Sequence, residues 1–346
     1  MGASVAVAVV SWNTRELLGE CLRSLEADVR GERAAVWVVD NASRDGSAEL
    51  VRDEMPWATL IASNENLGFG RAVNLVARRT TTPWLAVANA DVAVAPGALQ
   101  TLLAAADRDG PVGAIAPRLV LANGSTQHSV YSFPTVSYAL ALNLGLPHVV
   151  PGLGDRLAMI GHWNADRPRR VPWAIAAFLL VRREAWDAAG GFDERQWMYS
   201  EDLDLGWRLR RAGWYTRYEP RAIVRHHGAA STAQAWGDDR LARTQRSAYA
   251  WMLRRRGRMR TWLIGAINIS GLVARSVVWT RAARRDPARF AHRRAMAGWW
   301  MRAHVKGLAG ASAACATQDG RAAARAERSP SLKTSNRTTS RHSRRA

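Results

Sequence analysis

Apolar residues come in short blocks along the first ninety positions. Val5 to Val10, Ala34 to Val39, Trp57 to Ala62 and Trp84 to Ala88 are five or six residues long and dominated by aliphatic side chains. Such runs, bounded by turn formers such as Thr82-Pro83, predict strands buried on both faces. Between the blocks the period changes. In Arg15 to Leu25 the apolar positions are Leu17, Leu18, Cys21, Leu22 and Leu25, one helix face, with Asn13 or Thr14 as N-cap. A second helix is predicted near Ala48 to Asp53 and a third from about Arg71 to Arg79. Strand and helix alternating at this spacing predict a parallel, helix-covered sheet.

The pattern continues with a helix over Ala98 to Ala106 and a strand over Val112 to Ala116. Residues 122–170 show little periodicity and read mostly as loop. Val171 to Val181 reads as an apolar strand, and Arg183 to Ala189 as a short helix stopped by Gly190-Gly191. Glu201 to Ala212 reads as a helix stopped by Gly213. Tyr215 to Tyr218 and Ala222 to Val224 read as short strands leading into His226-His227-Gly228. No internal repeat is visible.

The chemistry gathers where the apolar runs stop. The strand at 84–88 ends in Asn89-Ala90-Asp91, and the second strand ends in Asp40-Asn41. Open α/β sheets bind ligands at the carboxyl ends of their strands. Glu201-Asp202 opens a helix after a loop, and the two histidines follow the last strand. Carboxylates and an imidazole at strand ends can hold a hard divalent cation beside a diphosphate. A further carboxylate on a helix start can act as a base. Taken singly, each also has a plain structural role: strand-end cap, turn residue, acidic first helical turn or surface histidine. Their occurrence together, in this order, favours the chemical reading.

Charge divides the chain. Residues 1–231 carry 24 basic and 24 acidic side chains, whereas residues 232–346 carry 25 and 5, the whole of the net +20. A neutral globular part joined to a basic part implies an anionic partner surface, membrane or nucleic acid. Trp251, Trp262, Trp279, Trp299 and Trp300 stand among arginines there, and Thr261 to Thr280 is the most apolar window, at the lower edge for a spanning helix. Arginines flank it on both sides, so charge gives no orientation. Tryptophan and aliphatic residues with arginine favour helices lying on an anionic membrane surface over nucleic-acid binding. Two cysteines, Cys21 and Cys315, provide no disulfide framework and fit a reducing cytosol. The N-terminal apolar run lacks a basic lead and reads as a first strand, not a signal peptide.

Seven motifs, in order, carry a resemblance. Val-Ser-Trp-Asn-Thr, Val-Val-Asp-Asn-Ala-Ser-Arg-Asp-Gly-Ser, Asn-Glu-Asn-Leu-Gly-Phe-Gly-Arg-Ala-Val-Asn, Asn-Ala-Asp, Gly-Gly-Phe-Asp-Glu, Tyr-Ser-Glu-Asp-Leu-Asp-Leu and His-His-Gly resemble the family-2 glycosyltransferases, rhamnosyltransferase-like branch, over residues 4–232. The resemblance implies a GT-A fold, an α/β nucleotide-diphospho-sugar transferase sandwich, here with a mainly helical basic extension. It implies that Asp40 meets the donor base or ribose with Ser11, Asn13 and Asn41 nearby. Asn66, Gly68 and Asn74 line the donor pocket, Arg71 faces a phosphate, and Asn89 and Glu201 are substrate-facing. Asp91 and His226 hold Mg²⁺ or Mn²⁺, and Asp202 is the general base of an inverting transfer. The sequence departs from the family pattern in three places: Asn89 stands where the metal motif often begins with Asp, Ile175-Ala176-Ala177 stand where Ser-Gly-Ala is common, and Ser200 stands where an aromatic residue is common.

The expectation is therefore a metal-dependent glycosyltransferase, with rhamnose a candidate sugar and a lipid-linked or cell-envelope glycan as acceptor. It works in the cytoplasm, peripheral on the inner face of the cell membrane, with no nucleic-acid partner. Its expected parts are a catalytic domain (1–232), a separable helical membrane-associating extension (233–312) and a disordered basic tail (313–346). The alternative is a non-catalytic nucleotide-sugar or nucleic-acid binding protein, which has no need of Asp202. A dehydrogenase is disfavoured because no Gly-x-Gly-x-x-Gly follows the first strand.

Overall fold

A computed structural model describes residues 3–106, 110–228 and 239–327, with side chains to residue 314. The four apolar blocks are β1 (Val5–Ser11), β2 (Ala34–Asp40), β3 (Thr59–Ala62) and β4 (Trp84–Asn89). They lie side by side in the order β3-β2-β1-β4, all parallel. Alternate residues of β1 enter different cores: Val5, Val7 and Val9 face one side, Ala6 and Ala8 the other. That two-sided burial is why the runs are continuously apolar. On the first side α1 (Arg15–Arg30) buries Leu18, Cys21, Leu22 and Leu25, joined by α2 (Ser47–Glu54). On the other, α3 (Phe69–Ala77) buries Phe69, Ala72, Val73 and Val76.

Beyond β4 the sheet becomes mixed. A short strand β5 (Val92–Val94), absent from the sequence expectation, precedes α4 (Ala98–Ala106) and β6 (Val112–Val120). Residues 122–170 are more structured than expected. They hold β7 (Val130–Tyr131), the short helices α5 (Val136–Asn143), α6 (Leu146–Val149) and α7 (Leu153–Arg156), and the start of β8 (Arg169–Val171). The expected strand at 171–181 is three: the end of β8, β9 (Trp173–Ala174) and β10 (Phe178–Arg182). Pro172, which lacks a backbone donor, marks the first break. β10 runs antiparallel between β4 and β6, and α8 (Arg183–Ala189) and α9 (Glu201–Arg211) follow. The two short strands expected after them are one, β11 (Tyr215–His226), whose register with β6 slips between Glu219 and Ile223. β11 also pairs antiparallel with β5 and β8, and β7 pairs with β9 beside the main sheet.

The basic C-terminal part forms three helices, α10 (Asp239–Arg256), α11 (Arg258–Arg285) and α12 (Pro287–Glu327). The expected separability of this part is not what the packing shows. Tyr249 and Trp251 of α10 are fully buried in a third core with Phe133, Leu203 of α9, Ile264 and Leu308. Asp204 of α9 is buried and accepts from Trp251 Nε1 at 2.9 Å, Arg255 Nε at 2.7 Å and Arg208 Nε at 2.6 Å. Tryptophan with arginine, which by composition suggests a membrane surface, is here partly the inner face of a protein core. α11 is long and apolar enough to cross a membrane by length and composition. Within the fold it is tied to α5: Asn143 donates to Asn268 at 2.9 Å and accepts from Arg275 at 2.8 Å. The backbone at 313–327 continues α12, although a disordered tail was expected to begin there. The rest of that tail (328–346) and the expected 232/233 boundary lie outside the described residues.

Candidate active site

Strand register aligns the polar ends. Ser11 pairs with Asp40, Asp40 with Ala62, and Val10 with Asn89, so one rim of the sheet carries them all. Asp40 is buried; its Oδ2 accepts from Ser43 N at 3.0 Å, while Oδ1 has no hydrogen-bond donor among the described residues. A buried carboxylate oxygen left open costs free energy unless a ligand donates to it. Ser11 is buried with its hydroxyl 3.1 Å from Thr14 Oγ1. Asn13 sits at φ 51° and staples the rim: its N donates to Ser43 Oγ and its Oδ1 accepts from Arg44 N at 2.8 Å. Asn41 bridges to the 66–68 loop, accepting from Leu67 N and donating to Gly68 O, each at 3.4 Å.

That loop is fixed by Asn66, whose Oδ1 accepts from Gly68 N at 2.9 Å and whose carbonyl accepts from Trp197 Nε1 at 3.2 Å. Gly68 has φ 76° and ψ 173°, a conformation that is essentially glycine-only. A Cβ there would also run into the Trp197 carbonyl oxygen. Gly68→Ala is therefore expected to cost about 1–3 kcal/mol of backbone strain before the clash is counted. Donor affinity should fall with it. A thermal melt and a nucleotide titration check both; an unchanged melt would contradict the close approach.

A second group forms at the opposite edge of the sheet, where β5 pairs with β11. β5 and β11 pair His226 with Val92, and His227 N donates to Asp91 O at 2.9 Å. This sets His226 Nε2 3.3 Å from Asp91 Oδ1, both residues buried. His226 Nδ1 lies 2.7 Å from Gln127 Oε1. Gln127 thereby fixes the orientation of the ring with Nε2 turned toward Asp91, as outer partners orient metal-ligating histidines. Among the described residues no third His, Cys, Asp or Glu completes a metal cluster here. Asn89 supplies no charge to it: its backbone N donates to Ala177 O at 2.9 Å. The Cys21 thiol beneath is pushed up to about 12 by burial and by the Asp91 charge, so it stays protonated.

Asp202 stands across the rim. Ala176 N donates to its Oδ2 at 3.3 Å and Leu203 N to its Oδ1 at 2.8 Å. Asn89 and Asp202 thus grip neighbouring residues of one segment, Ala176 and Ala177, the stretch that departs from the family pattern. These bonds use backbone N–H and C=O, so the change in side chains leaves the grip intact. The turn into α9 is unusual: Tyr199 and Ser200 have φ 65° and 63°, both left-handed. Tyr199 O accepts from Ser247 Oγ of α10 at 2.7 Å, and Ser200 O from Gln196 Nε2 at 3.1 Å. Strained turns of this kind persist where the surroundings over-determine them. Desolvation raises the pKa of Asp202, and raises that of its buried neighbour Glu201 further with help from the Asp202 charge. The pair shares one negative charge more readily than two.

Asn74 and Arg71 are placed differently from the rest. Asn74 donates to and accepts from the Phe192 backbone, each at 2.9 Å, pinning the Gly-Gly-Phe-Asp-Glu loop to α3. It lines a separate cavity of about 390 Å³ with Arg78, Trp186 and Gly191. Arg71 is exposed, with Nε 3.8 Å from Glu194. The structure adds residues that sequence reasoning missed: Gln127 behind His226, Ser43 between Asn13 and Asp40, and Trp197 against Gly68. Tyr131 and Trp173 stack at 4.8 Å on the β7–β9 pair, where burial, with a smaller contribution from the Asp202 charge, raises the Tyr131 pKa. Gln127 and Tyr131 fall in the aperiodic 122–170 stretch, where no pattern marked them.

Comparison with known proteins bears on the family and the fold. Residues 6–153 match the model "Glycosyl transferase family 2" and residues 148–310 match "Glycosyl transferase family group 2". The chain is 34% identical over 263 residues to the N-acetylglucosaminyl-diphospho-decaprenol L-rhamnosyltransferase of Mycobacterium tuberculosis, covering 70% of this chain and 84% of that one. It is 34% identical over 212 residues to a pre-mycofactocin glycosyltransferase of the same organism, covering 59% of this chain and 39% of that one. Among solved structures, the mannosyltransferase PcManGT from Pyrobaculum calidifontis, in complex with GDP-Man and Mn²⁺, superposes with a TM-score of 0.57 at 19% identity. It covers 89% of this chain and 88% of that one. The fold is the GT-A sandwich with a helical C-terminal region.

Proposed function

Because the chain belongs to glycosyltransferase family 2, we propose that its rim performs inverting transfer of a sugar from a nucleotide-diphosphate donor, with Asp202 as base. The observation that carries this is the pairing of Asp202 with Asn89, and so with Asp91, through the single segment Ala176-Ala177. The proposed proton acceptor and the proposed metal-ligand pair are thus tied to one segment.

The residues divide the work. Asp40 Oδ1, open and buried at the end of β2, receives a donor N–H or hydroxyl from the base or ribose. Ser11, Asn13 and Asn41 hold the loops that frame it, and Gly68 allows the backbone to come close. Asp91 and His226 fit a divalent cation: one carboxylate, one imidazole whose ring is oriented by Gln127, and remaining positions for diphosphate oxygens and water. Such a cation, when bound, offsets the charge developing on the leaving nucleoside diphosphate. Asp202 takes the acceptor hydroxyl proton as that oxygen attacks the anomeric carbon. One base and one in-line displacement invert the configuration.

The 84% coverage of the decaprenol-linked rhamnosyltransferase supports rhamnose as the sugar and a polyprenyl-diphosphate-linked sugar as acceptor. Met259, Trp262, Leu263, Val277 and Val278 of α11 are exposed apolar side chains on the strongly basic part, and Leu144, Val149 and Ile160 near α5–α7 are exposed apolar side chains on the neutral part. They support a cytoplasmic enzyme lying on the membrane's anionic inner face, where such an acceptor resides.

Asp91→Ala is expected to abolish transfer and weaken metal-dependent donor binding, with EDTA reproducing the effect on the native protein. With two protein ligands and Asn89 uncharged, metal should bind poorly without nucleotide. Calorimetry showing tight metal binding by the nucleotide-free protein would contradict this ligand set.

A further inference from the structure

Six arginines meet where α9 and α10 end. Arg208, Arg210 and Arg211 form the last turn of α9, and Arg254, Arg255 and Arg256 the last turn of α10. Two cavities open between them. One, of about 590 Å³, is lined by Arg208, Arg211, Arg254 and Arg255 with Ala188 and Ala189. The other, of about 530 Å³, is lined by Arg210, Arg211 and Arg256 with Trp207, Tyr138 and Thr135. Trp207 and Arg211 belong to both.

The protein supplies little negative charge to this place. Asp204 is taken up by Arg208 and Arg255. Asp193 is held by Arg195 at 2.7 Å, with Arg255 at 3.4 Å. No carboxylate among the described residues comes within ion-pair distance of Arg210, Arg211, Arg254 or Arg256. Arg208 Nη2 and Arg256 Nε are buried and meet no acceptor among the described residues. Arg210, Arg211 and Arg254 reach solvent around these two unmet donors; like charges gathered around unmet N–H groups favour a bound anion, and the guanidinium fork matches phosphate oxygens. Immediately beyond, across Gly257, α11 starts with Arg258, Met259 and Arg260, and Met259 is 82% exposed; Trp262 and Leu263 follow at 49% and 47%. An anion cradle is thus continuous with exposed apolar side chains.

We propose that this arginine cradle binds the phosphate headgroup of a membrane lipid, whose hydrocarbon lies along Met259, Trp262 and Leu263. This deepens the membrane-surface reading given above and rests on it. It assigns a headgroup site distinct from the donor cleft: Arg211 is nine residues along α9 from Asp202, about 13 Å by helical rise.

The test uses the full chain and phosphatidylcholine vesicles with and without phosphatidylglycerol. Arg211→Glu with Arg254→Glu is compared with Arg23→Glu and Arg52→Glu, exposed positions on α1 and α2 that change net charge equally. The cradle variant should lose binding to the anionic vesicles at least about tenfold, and the control variant by less than a third of that factor. Circular dichroism melts confirm that both fold. Equal losses would show diffuse attraction only and overturn the site, as would no loss in either. Inorganic pyrophosphate provides the second arm: if the cradle variant loses pyrophosphate binding but keeps vesicle binding, the ligand is a soluble phosphate and the lipid assignment fails. Vesicle binding is read without donor or acceptor, so failure here leaves the assignment of Asp202 and Asp91 untouched.

Discussion

Asp202→Asn should lower sugar transfer by at least about a hundredfold, the lower range for loss of a general base, while nucleotide affinity stays within about twofold. Asn keeps the size of the side chain and can still accept from Ala176 N or Leu203 N, but it cannot take a proton. The pH profile adds a second, independent sign. Burial raises the pKa of Asp202, and Glu201 beside it is raised further by burial and by the Asp202 charge. A base works only when ionised. Transfer should therefore be present above the raised pKa and lost as pH falls through it, with the acid limb clearly above the ordinary aspartate value of about 3.9. In the Asn variant the residual rate should lose that limb. Turnover within a few-fold of the native protein, or an acid limb at the ordinary carboxylate position, would remove Asp202 from the role.

Deleting the chain from α10 onward should leave an insoluble or non-cooperatively folded catalytic part. This follows from Asp204, a buried carboxylate held by Trp251 and Arg255 of α10, two residues beyond the proposed base. Removing one side of a buried charge network leaves an uncompensated charge. Trp251→Ala in the full chain is the graded version. It empties a fully buried site and is expected to cost about 3–5 kcal/mol, a large share of the roughly 5–15 kcal/mol that stabilises a typical domain. Urea unfolding measures it. Because Ser247 also holds the Tyr199 carbonyl in the turn before Asp202, Trp251→Ala should reduce transfer more than nucleotide binding. A truncated protein that unfolds cooperatively and transfers sugar to a soluble acceptor would contradict this coupling and restore the separable arrangement read from the charge distribution.

The parts of the fold that the sequence displayed are those with strong period. β1, β2 and β4 are buried on both faces, and continuous Val and Ala runs show that directly. Asp40, Asp91 and Asp202 were visible because each follows such a run or opens a helix. β5 was hidden because three residues after a polar turn carry no period. β8 and β9 were merged with β10 because the sequence from 171 to 181 is apolar throughout, and only Pro172 signals a break. α5 is apolar on all sides, with Leu140 and Leu142 exposed, so it has no face for a pattern to reveal. Gln127 acts through His226, ninety-nine residues away, a contact set by sheet pairing and invisible in local spacing. The inward face of α10 was hidden for a related reason. Tryptophan and arginine at helical spacing look the same whether they face lipid or a neighbouring carboxylate, and only the position of Asp204 decides.

Inverting sugar transfer at this rim leaves its mark on the product. The most direct measurement incubates the full chain with a panel of nucleoside-diphosphate sugars, including a rhamnose donor, and a short-chain polyprenyl-diphosphate-linked N-acetylglucosamine. The anomeric configuration of the product is then read by NMR. One donor should be consumed only when acceptor and divalent metal are present, and the new glycosidic bond should have the configuration opposite to that of the donor. A product of retained configuration, or nucleotide-sugar binding with no transfer to any acceptor, would contradict inverting transfer.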